Sequence, residues 1–265
     1  MKKIIALLMS ICMLAVFAGC GSKDSSKTDS EYVKEKGKLV VGITDFNPMD
    51  YEETKGSGEW IGFDADMAKK FAKSLGVDVE FVEIDWDNKI MELDSKSIDC
   101  VWNGMTISNE VKNGMSVSNA YCKNTQVVVV KKDVADKYKT LESVKDLKFA
   151  AEAGSAGEEA LKALNYNVTA VTAQVDALME VNAGTSDAAV IDLLMAGAMV
   201  GEGTSYENLA YTVGVAEEED YGVGFRKGSD LTEKLNQFFK DSYSDGSMLE
   251  TAKTYGVQES IIEQK

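Results

Sequence analysis

Strand-like and helix-like segments alternate along most of this chain, and this alternation constrains the fold more than any other feature of the sequence. Residues 38–44 are rich in β-branched side chains and predict a strand. In the helix predicted next, the apolar Met67, Phe71 and Leu75 are spaced four residues apart and form one face. The run QVVVVK at 126–131 is typical of a strand buried on both faces. This order of elements predicts an α/β fold built on parallel sheets.

A second set of alternating segments follows and predicts a second lobe. Residues 149–153, 187–192 and 221–226 each have the β-branched or apolar composition of a strand. Helical patterns lie between them, and one of these ends at Gly184, a residue type that favours the left-handed conformation at helix ends. Two such sets, separated by one long apolar strand, indicate two α/β lobes.

Acidic or hydroxyl side chains mark three predicted helix starts. Asp64 precedes the helix that carries the first apolar face, and it predicts an N-cap. Ser155 with Glu158, and Asp230 with Glu233, have the spacing of capping boxes.

The N-terminal 19 residues have the composition of a secretory signal, with two lysines before an apolar stretch too short to span a membrane comfortably. Cys20 directly follows small residues, so the segment looks like a bacterial lipoprotein signal, in which this cysteine becomes the lipidated first residue. The alternative is an ordinary signal peptide followed by a chance cysteine. Residues 20–36 are polar and aperiodic and predict a flexible tether. We therefore expect a globular body, lipid-anchored to the outer face of a bacterial cell membrane.

The charge balance restricts the possible partners. The chain carries a net charge of −16, which becomes −18 once the two lysines of residues 1–19 are removed. So acidic a body argues against nucleic acid as a partner and against adhesion to anionic lipid, and it mildly favours cationic ligands.

Residue types that are rare or absent exclude several kinds of chemistry. The sequence has no histidine, which excludes Ser-His and Cys-His catalysis and the usual zinc sites, so we expect no catalytic residue, metal or cofactor. Arg226 is the only arginine, which nearly excludes a guanidinium clamp on an anion. Cys100 and Cys122 have a disulfide-permissive context, but two small buried apolar residues are the favoured interpretation.

Several segments together resemble one protein family. They are GKLVVGI, GFDADMAKKFAKSLGVDVEFVEIDW, IDCVWNGMTISNE, SNAYCKNTQVVVVK and YGVGFRKGSDL. In order and spacing they resemble the bacterial extracellular solute-binding proteins of family 3, the capture components of polar amino acid ABC importers. The resemblance covers roughly residues 37–257. It implies a two-lobed periplasmic-binding-protein-like fold, with two crossover hinge strands and a ligand cleft between the lobes.

The resemblance also implies domain bounds and partners. Lobe one would comprise 37–126 with 220–265, and lobe two would comprise 127–219, with crossings near 125–128 and 218–221. The expected partners are a small amino acid or amine ligand, an ABC permease, and the membrane through the lipid on Cys20. We expect a monomer.

The candidate ligand-binding residues lie where predicted strands end, the edge at which open α/β sheets bind ligands. They are Phe46, Trp86, Asn103, Gly104, Met105, Thr106, Glu152, Ser155, Ala156, Gly157 and Asp192.

The resemblance assigns roles to three of these side chains. Phe46 and Trp86 match two aromatic rings that sandwich the ligand, although both could instead be core residues of lobe one. Asp192 matches an aspartate that pairs with the ligand's α-ammonium group, although an N-cap for the following helix is the alternative.

Two short segments would supply backbone groups to the ligand. Gly104, Met105 and Thr106 match a loop that offers backbone groups and a hydroxyl, with a simple turn as the alternative. Residues 155–157 begin a predicted helix, whose free N–H groups form a carboxylate site or serve only the helix's own cap.

Two departures from the family pattern affect the ligand. Val111 occupies the position at which many members carry an arginine that binds the ligand's carboxylate, and Glu152 adds a negative charge where relatives often have a basic or neutral polar group. We therefore expect cationic or neutral ligands, with basic amino acids first and amines second, and weak or no binding of glutamate.

Two other functions remain open from the sequence. One is an enzyme on the same fold, such as a dehydratase in which Glu152 and Asp192 act as an acid and base pair. The other is a sensory subunit that presents its ligand to a membrane receptor.

Overall fold

A computed structural model describes residues 27–265 of the chain. The predicted signal at 1–19, the predicted lipid site Cys20 and the first part of the predicted tether lie outside these residues. Within 27–265, none of the helices combines the length and apolar character needed to cross a bilayer.

Ten α-helices and thirteen strands make up the described part of the chain. The helices are α1 Asp29–Lys36, α2 Phe63–Leu75, α3 Lys89–Asp94, α4 Asn109–Gly114, α5 Leu141–Val144, α6 Ala156–Ala163, α7 Gln174–Ala183, α8 Leu193–Met199, α9 Leu231–Ser244 and α10 Ser247–Thr254. The strands are β1 Lys38–Ile43, β2 Tyr51–Glu52, β3 Trp60–Ile61, β4 Asp78–Glu83, β5 Cys100–Thr106, β6 Ser116–Val117, β7 Cys122–Asn124, β8 Gln126–Lys131, β9 Lys148–Glu152, β10 Asn167–Val171, β11 Ala188–Asp192, β12 Leu209–Gly214 and β13 Glu219–Phe225.

Two separate sheets divide the molecule, and a small hairpin of β2 and β3 adds to the first half. The first sheet has the order β4-β1-β5-β13-β6, with β7 also paired to β13, and the second has the order β10-β9-β11-β8-β12. We call the half built on the first sheet lobe one and the half built on the second sheet lobe two. The chain passes from β7 to β8 through Thr125 and returns to the first sheet in β13.

Both sheets are mixed, which corrects the prediction of parallel sheets. In lobe one, β1 runs parallel to β4 and β5, but β13 runs antiparallel to β5. In lobe two, β9 runs parallel to β10 and β11, but β8 runs antiparallel to β11. The exceptions are the strands at the crossings, because a chain that enters or leaves a lobe there runs against the strands of the repeating βαβ units. The prediction that β8 is buried on both faces is confirmed, since Gln126 to Val130 are all buried.

Two predicted capping side chains make no cap bond, because their carboxylates have other partners. Asp230 does occupy the N-cap position of α9, whereas Gly62 and not Asp64 occupies that of α2. Asp64 lies inside the first turn of α2, where its Oδ2 accepts hydrogen bonds from Gly104 N–H and Tyr121 Oη, both at 2.7 Å. Asp230 makes no cap bond to α9, and its carboxylate instead accepts from the backbone N–H and the hydroxyl of Ser30. The Ser155 cap is present, with its Oγ accepting from Glu158 N–H at 3.1 Å.

Helix α1 occupies part of the segment for which the sequence predicts a flexible tether, so that prediction fails for residues 29–36. Thr28 and Glu31 form a capping box, and Val33 is completely buried. The Arg226 guanidinium donates to Asp29 at 3.1 Å and to Asp99 at 3.2 Å, which ties the helix to lobe one. Pattern analysis misses this helix because Val33 is its one fully buried apolar residue and its docking depends on distant charged side chains.

Cys100 and Cys122 are both buried and free, as the favoured interpretation of the sequence predicts. Trp102, on the site strand β5, is also completely buried, and it contacts Phe71 and Phe239 edge-on in the lobe-one core.

Candidate functional site

A cleft lies between the two lobes, at the ends of β5, β9 and β11. Its walls include all the candidate ligand-binding residues except Phe46 and Gly157. Those present are Trp86, Asn103, Gly104, Met105, Thr106, Glu152, Ser155, Ala156 and Asp192. The cleft also contains side chains that the sequence analysis did not single out: Lys89, Ser108, Glu110, Gln126, Glu159 and Gln174.

Phe46 lies behind the cleft wall rather than in it. Its ring is 1% exposed and meets Tyr221 edge-on, with the ring centroids 6.4 Å apart. A β-carbon at Gly104 would lie 2.5 Å from Phe46 Cε1, so only a glycine at 104 lets the backbone approach this ring. Trp86 is thus the aromatic side chain of the predicted pair that lines the cleft.

Gly157 packs within lobe two. A β-carbon at this position would lie 2.9 Å from Gln126 Oε1, so the glycine lets the start of α6 approach β8 closely. The N–H of Ser155 already donates to the Glu152 carbonyl at 3.2 Å. The next N–H groups, of Ala156 and Gly157, belong to the first turn of α6, where amides have no partner within the helix.

Asn103 lines the cleft, but its amide group is engaged within lobe one. Its Oδ1 accepts from the Thr44 backbone N–H at 3.0 Å and from the Thr44 hydroxyl at 2.9 Å. Its Nδ2 donates to the Thr44 carbonyl and to Asp50 Oδ2. Both ends of the amide are occupied, so Asn103 fixes the end of β5, where Gly104 to Thr106 continue the strand rather than form the predicted loop or turn.

The Asp192 carboxylate accepts four side-chain hydrogen bonds. Its Oδ1 accepts from Gln126 Nε2 at 2.9 Å and from Asn124 Nδ2 and the Tyr221 hydroxyl, and its Oδ2 accepts from Gln174 Nε2. It lies at the N-cap position of α8 without making a side-chain cap bond there. The position that the alternative interpretation predicts is therefore correct, but the side chain does not act as a cap.

Burial leaves the Asp192 carboxyl partly protonated near neutral pH. The pKa of Asp192 is raised to about 7 by loss of solvation and, to a smaller extent, by the nearby Glu219 carboxylate, while the hydrogen bonds from Tyr221, Gln174 and Gln126 oppose the rise. A cation beside this group would restore the charged form.

Glu152 is the second buried acid of the cleft. Its side chain lies at the end of β9, the residue is 2% exposed, and its Oε1 has no hydrogen-bond partner within residues 27–265. Loss of solvation, then the Asp192 carboxylate, raises the pKa of Glu152 to about 8, and the Thr44 hydroxyl and the Lys89 ammonium partly offset the rise. An unpartnered buried carboxyl oxygen is costly, which makes a bound cation or donor favourable here.

Among the described residues that line the cleft, one carries a buried cationic side chain. Lys89 is 3% exposed and its Nζ lies 5.2 Å from the centre of the Trp86 ring. Sequence analysis missed Lys89 because α3 is a short helix with no cap signal. Gln126 could have been identified from the sequence, because it is a polar residue at the start of the apolar run 127–130.

Among residues 27–265, no group of three or more histidine, cysteine, aspartate or glutamate side chains is arranged to hold a metal ion. What the cleft contains is a set of buried acids, amide donors and one ammonium group, drawn from both lobes. Such a set can bind a small polar molecule with more than one charged group.

Comparisons with known proteins agree with this geometry. The arginine-binding extracellular protein ArtP of Bacillus subtilis is 30% identical over 263 residues, which cover 96% of this chain and 98% of that protein. The ABC transporter glutamine-binding protein GlnH of the same organism is 31% identical, covering 96% of this chain and 97% of that protein.

A solved structure shows the same fold. The ancestral amino acid-binding protein AncCDT-1, a precursor of cyclohexadienyl dehydratase, superimposes with a TM-score of 0.77 at 31% identity, covering 85% of this chain and 98% of that one. The model of one family matches residues 39–258. The chain belongs to the bacterial extracellular solute-binding proteins, family 3.

Proposed function

We propose that this chain is the ligand-capturing component of an ABC importer, and that its ligand is a cationic amino acid. The observation that carries the proposal is the pair of buried acids, Glu152 and Asp192, on the lobe-two side of the cleft. Two carboxylates that are almost inaccessible to water favour a ligand with two cationic groups, and an amino acid with a basic side chain has them.

The two acids receive different parts of this ligand. Asp192, with its fixed amide and hydroxyl donors, binds the α-ammonium group, as the family resemblance implies. Glu152, with its free Oε1, binds the side-chain cation. The relative ArtP, described as arginine-binding, supports a ligand of this class. Glutamate and aspartate would bring a second negative charge to the same buried acids, so we expect them to bind weakly.

Binding requires closure of the lobes around the ligand. Trp86 and Gly104 belong to lobe one, whereas Glu152 and Asp192 belong to lobe two, so a ligand that contacts all four favours the closed arrangement over an open one. In this proposal the hinge lies at the two crossings, near 125–128 and 218–221, which separate the lobes built on the two sheets.

The proposal includes attachment to the membrane and excludes catalysis. The N-terminal 19 residues are a lipoprotein signal, the lipid is carried by Cys20, and the monomeric body delivers its ligand to a permease. A dehydratase would change its substrate, whereas a binding protein returns it unaltered, so chromatography of the candidate ligand after incubation separates the two functions.

Titration calorimetry with arginine, lysine, ornithine, glutamine and glutamate tests the ligand class. We expect one of the basic amino acids to bind most tightly, and Glu152→Gln to weaken that binding by about tenfold or more, as for loss of a charged hydrogen-bond partner. Glu142→Gln is the matched control, because this acid is also in lobe two but is exposed on the surface. Tight binding of glutamate, or an unchanged affinity in Glu152→Gln, would contradict the proposal.

A further inference from the structure

The proposed ligand carries a carboxylate as well as two cationic groups, and the cleft must accommodate that negative charge beside two buried acids. Lys89 is the one basic side chain among the described residues that line the cleft. Arg226 is engaged elsewhere, with Asp29, Asp99 and two backbone carbonyls of lobe one.

Lys89 is buried without an anionic partner in direct contact. Its Nζ donates to the Trp86 carbonyl at 3.3 Å and to the Gly154 carbonyl at 3.2 Å. Within residues 27–265, no carboxylate lies within ion-pair distance of this ammonium group, although twelve ion pairs form elsewhere. A buried charge held by two neutral carbonyls at long distances and by the face of the Trp86 ring lacks a compensating negative charge in direct contact.

The position of Lys89 relates the two lobes. The side chain starts from α3 in lobe one and reaches Gly154 in lobe two, directly before the first turn of α6. Ala156, at the first turn of that helix, also lines the cleft, so the N-terminal end of α6 with its free N–H groups and positive dipole lies on the same side of the cleft. An ammonium group and helix N–H groups therefore approach one region of the cleft from opposite lobes.

We propose that the Lys89 ammonium binds the α-carboxylate of the ligand, together with the N–H groups at the start of α6. This inference rests on the proposed function and deepens it, because it identifies the groups that recognise the carboxylate and so distinguish an amino acid from the matching amine. The carboxylate replaces the carbonyls of Trp86 and Gly154 as the acceptor for Lys89, and it bridges the lobes in doing so.

The Lys89 charge lowers the pKa values of Glu152 and Glu159, opposing the rise caused by burial. An alternative role for the lysine is therefore only to balance the charge of these two acids. The alternatives differ in what the lysine recognises. A carboxylate partner discriminates between an amino acid and its decarboxylated amine, whereas a balancing charge affects both ligands alike.

The test compares amino acids with the matching amines by titration calorimetry, in the pairs arginine and agmatine, lysine and cadaverine, and ornithine and putrescine. In the wild type we expect the best-bound amino acid to exceed its amine by about tenfold or more. In Lys89→Met the amino acid should lose about tenfold or more, while its amine changes much less, and Lys89→Arg should keep the preference because it keeps the donors.

Lys112→Met is the matched control, since this lysine is exposed and does not line the cleft. Thermal unfolding of each variant confirms that it is folded before it is titrated. If Lys89→Met weakens amino acid and amine equally, or weakens neither, the role of Lys89 is overturned and the proposed function stands. If the wild type binds no basic amino acid, the proposed function itself fails.

Discussion

The hydroxyl of Tyr221 donates a hydrogen bond to Asp192 Oδ1, and this bond joins the two lobes at the base of the cleft. Tyr221 lies on β13 of the first sheet, and Asp192 ends β11 of the second. Both residues are buried, at 0% and 5% exposure. The acid that lobe two offers to the ligand is therefore oriented in part by a side chain of lobe one.

Replacement of Asp192 by asparagine should remove most of the affinity. The carboxylate accepts from four donors, and an amide in its place would put its own N–H group against at least one of them. We expect the binding free energy to weaken by about 2–5 kcal/mol, as for a buried charge pair that loses one partner. Titration calorimetry with the best-bound basic amino acid measures the change.

Asp187→Asn provides the control for this experiment. Asp187 precedes the same strand at its other end, where it accepts from the Lys148 N–H at 3.0 Å, and it is exposed. We expect the Asp187→Asn protein to bind the ligand with the affinity of the wild type. If the Asp192→Asn protein is folded and binds with wild-type affinity, Asp192 does not bind the ligand.

The affinity for a cationic amino acid should increase with pH. In the ligand-free protein the pKa of Asp192 is about 7 and that of Glu152 about 8, so both carboxyls are partly protonated near neutral pH. A bound cation favours the carboxylate forms, and binding therefore releases protons. Calorimetry across about pH 6 to 9, in buffers of different ionisation enthalpy, should show proton release and tighter binding at higher pH. An affinity that falls as pH rises would contradict the assignment.

The same two groups should make the ligand-free protein less stable as pH rises. Their ordinary pKa values are 3.8 and 4.5, and both are raised in the folded state. Above the ordinary values the folded protein holds more protons than the unfolded chain, so this contribution to stability is lost as pH rises towards about 7 to 8. Thermal unfolding of the wild type and Glu152→Gln should show a smaller decline in the variant. A steeper decline in the variant would be inconsistent with a raised pKa at Glu152.

A methyl group at Gly104 should disturb both stability and binding. The residue has a φ of +54°, and its new β-carbon would lie 2.5 Å from Phe46 and 3.0 Å from Tyr221. We expect Gly104→Ala to lower the free energy of unfolding by about 1–3 kcal/mol, because the core cannot accept the extra volume without moving. Chemical denaturation measures the loss, and calorimetry measures the accompanying loss of affinity.

Gly197→Ala is the contrasting substitution. Gly197 lies inside α8, and no atom lies within 4 Å of its added β-carbon. Here alanine should leave stability unchanged or increase it by about 0.5–1 kcal/mol, through the lower entropy of the unfolded chain. Equal effects of the two substitutions would show that the space around Gly104 is unimportant.

Membrane attachment should depend on the thiol of Cys20. Replacement by serine removes the atom that would carry the lipid, so the variant should either be released from the membrane or remain as an uncut precursor. Detergent partition and the mass of the mature chain distinguish these results from the wild type. A Cys20→Ser protein that is processed normally and stays in the detergent fraction would show that another group anchors the chain.

Periodicity and residue type were sufficient to predict most of the elements. Strand β8 matches the predicted 126–131, and the helix predicted to end at Gly184 does so in the structure. These predictions succeed because a buried strand and a glycine-terminated helix are determined by nearby residues. The mixed direction of the sheets escaped prediction, since it depends on how β13 returns from lobe two.

The predictions that failed concern side chains whose partners are distant in the sequence. Asp64 and Asp230 have the spacing of helix caps, but they bind Gly104 and Tyr121, and Ser30, respectively. Lys89 carries no local signal, because its environment comes from a carbonyl 65 residues away in sequence. Such contacts can be read only from the assembled fold.

The docking of α1 has a consequence for how the protein meets its permease. Because residues 29–36 are held against lobe one, seven residues, 21–27, separate Cys20 from Thr28, and the eight steps between those two residues span at most about 28 Å when fully extended. Anchored at Cys20 as we propose, the body would search only a thin layer above the bilayer. Confinement to this layer would raise the concentration of the body near a permease in the same membrane above that of a freely diffusing body, so encounters between the two proteins would need less intrinsic affinity.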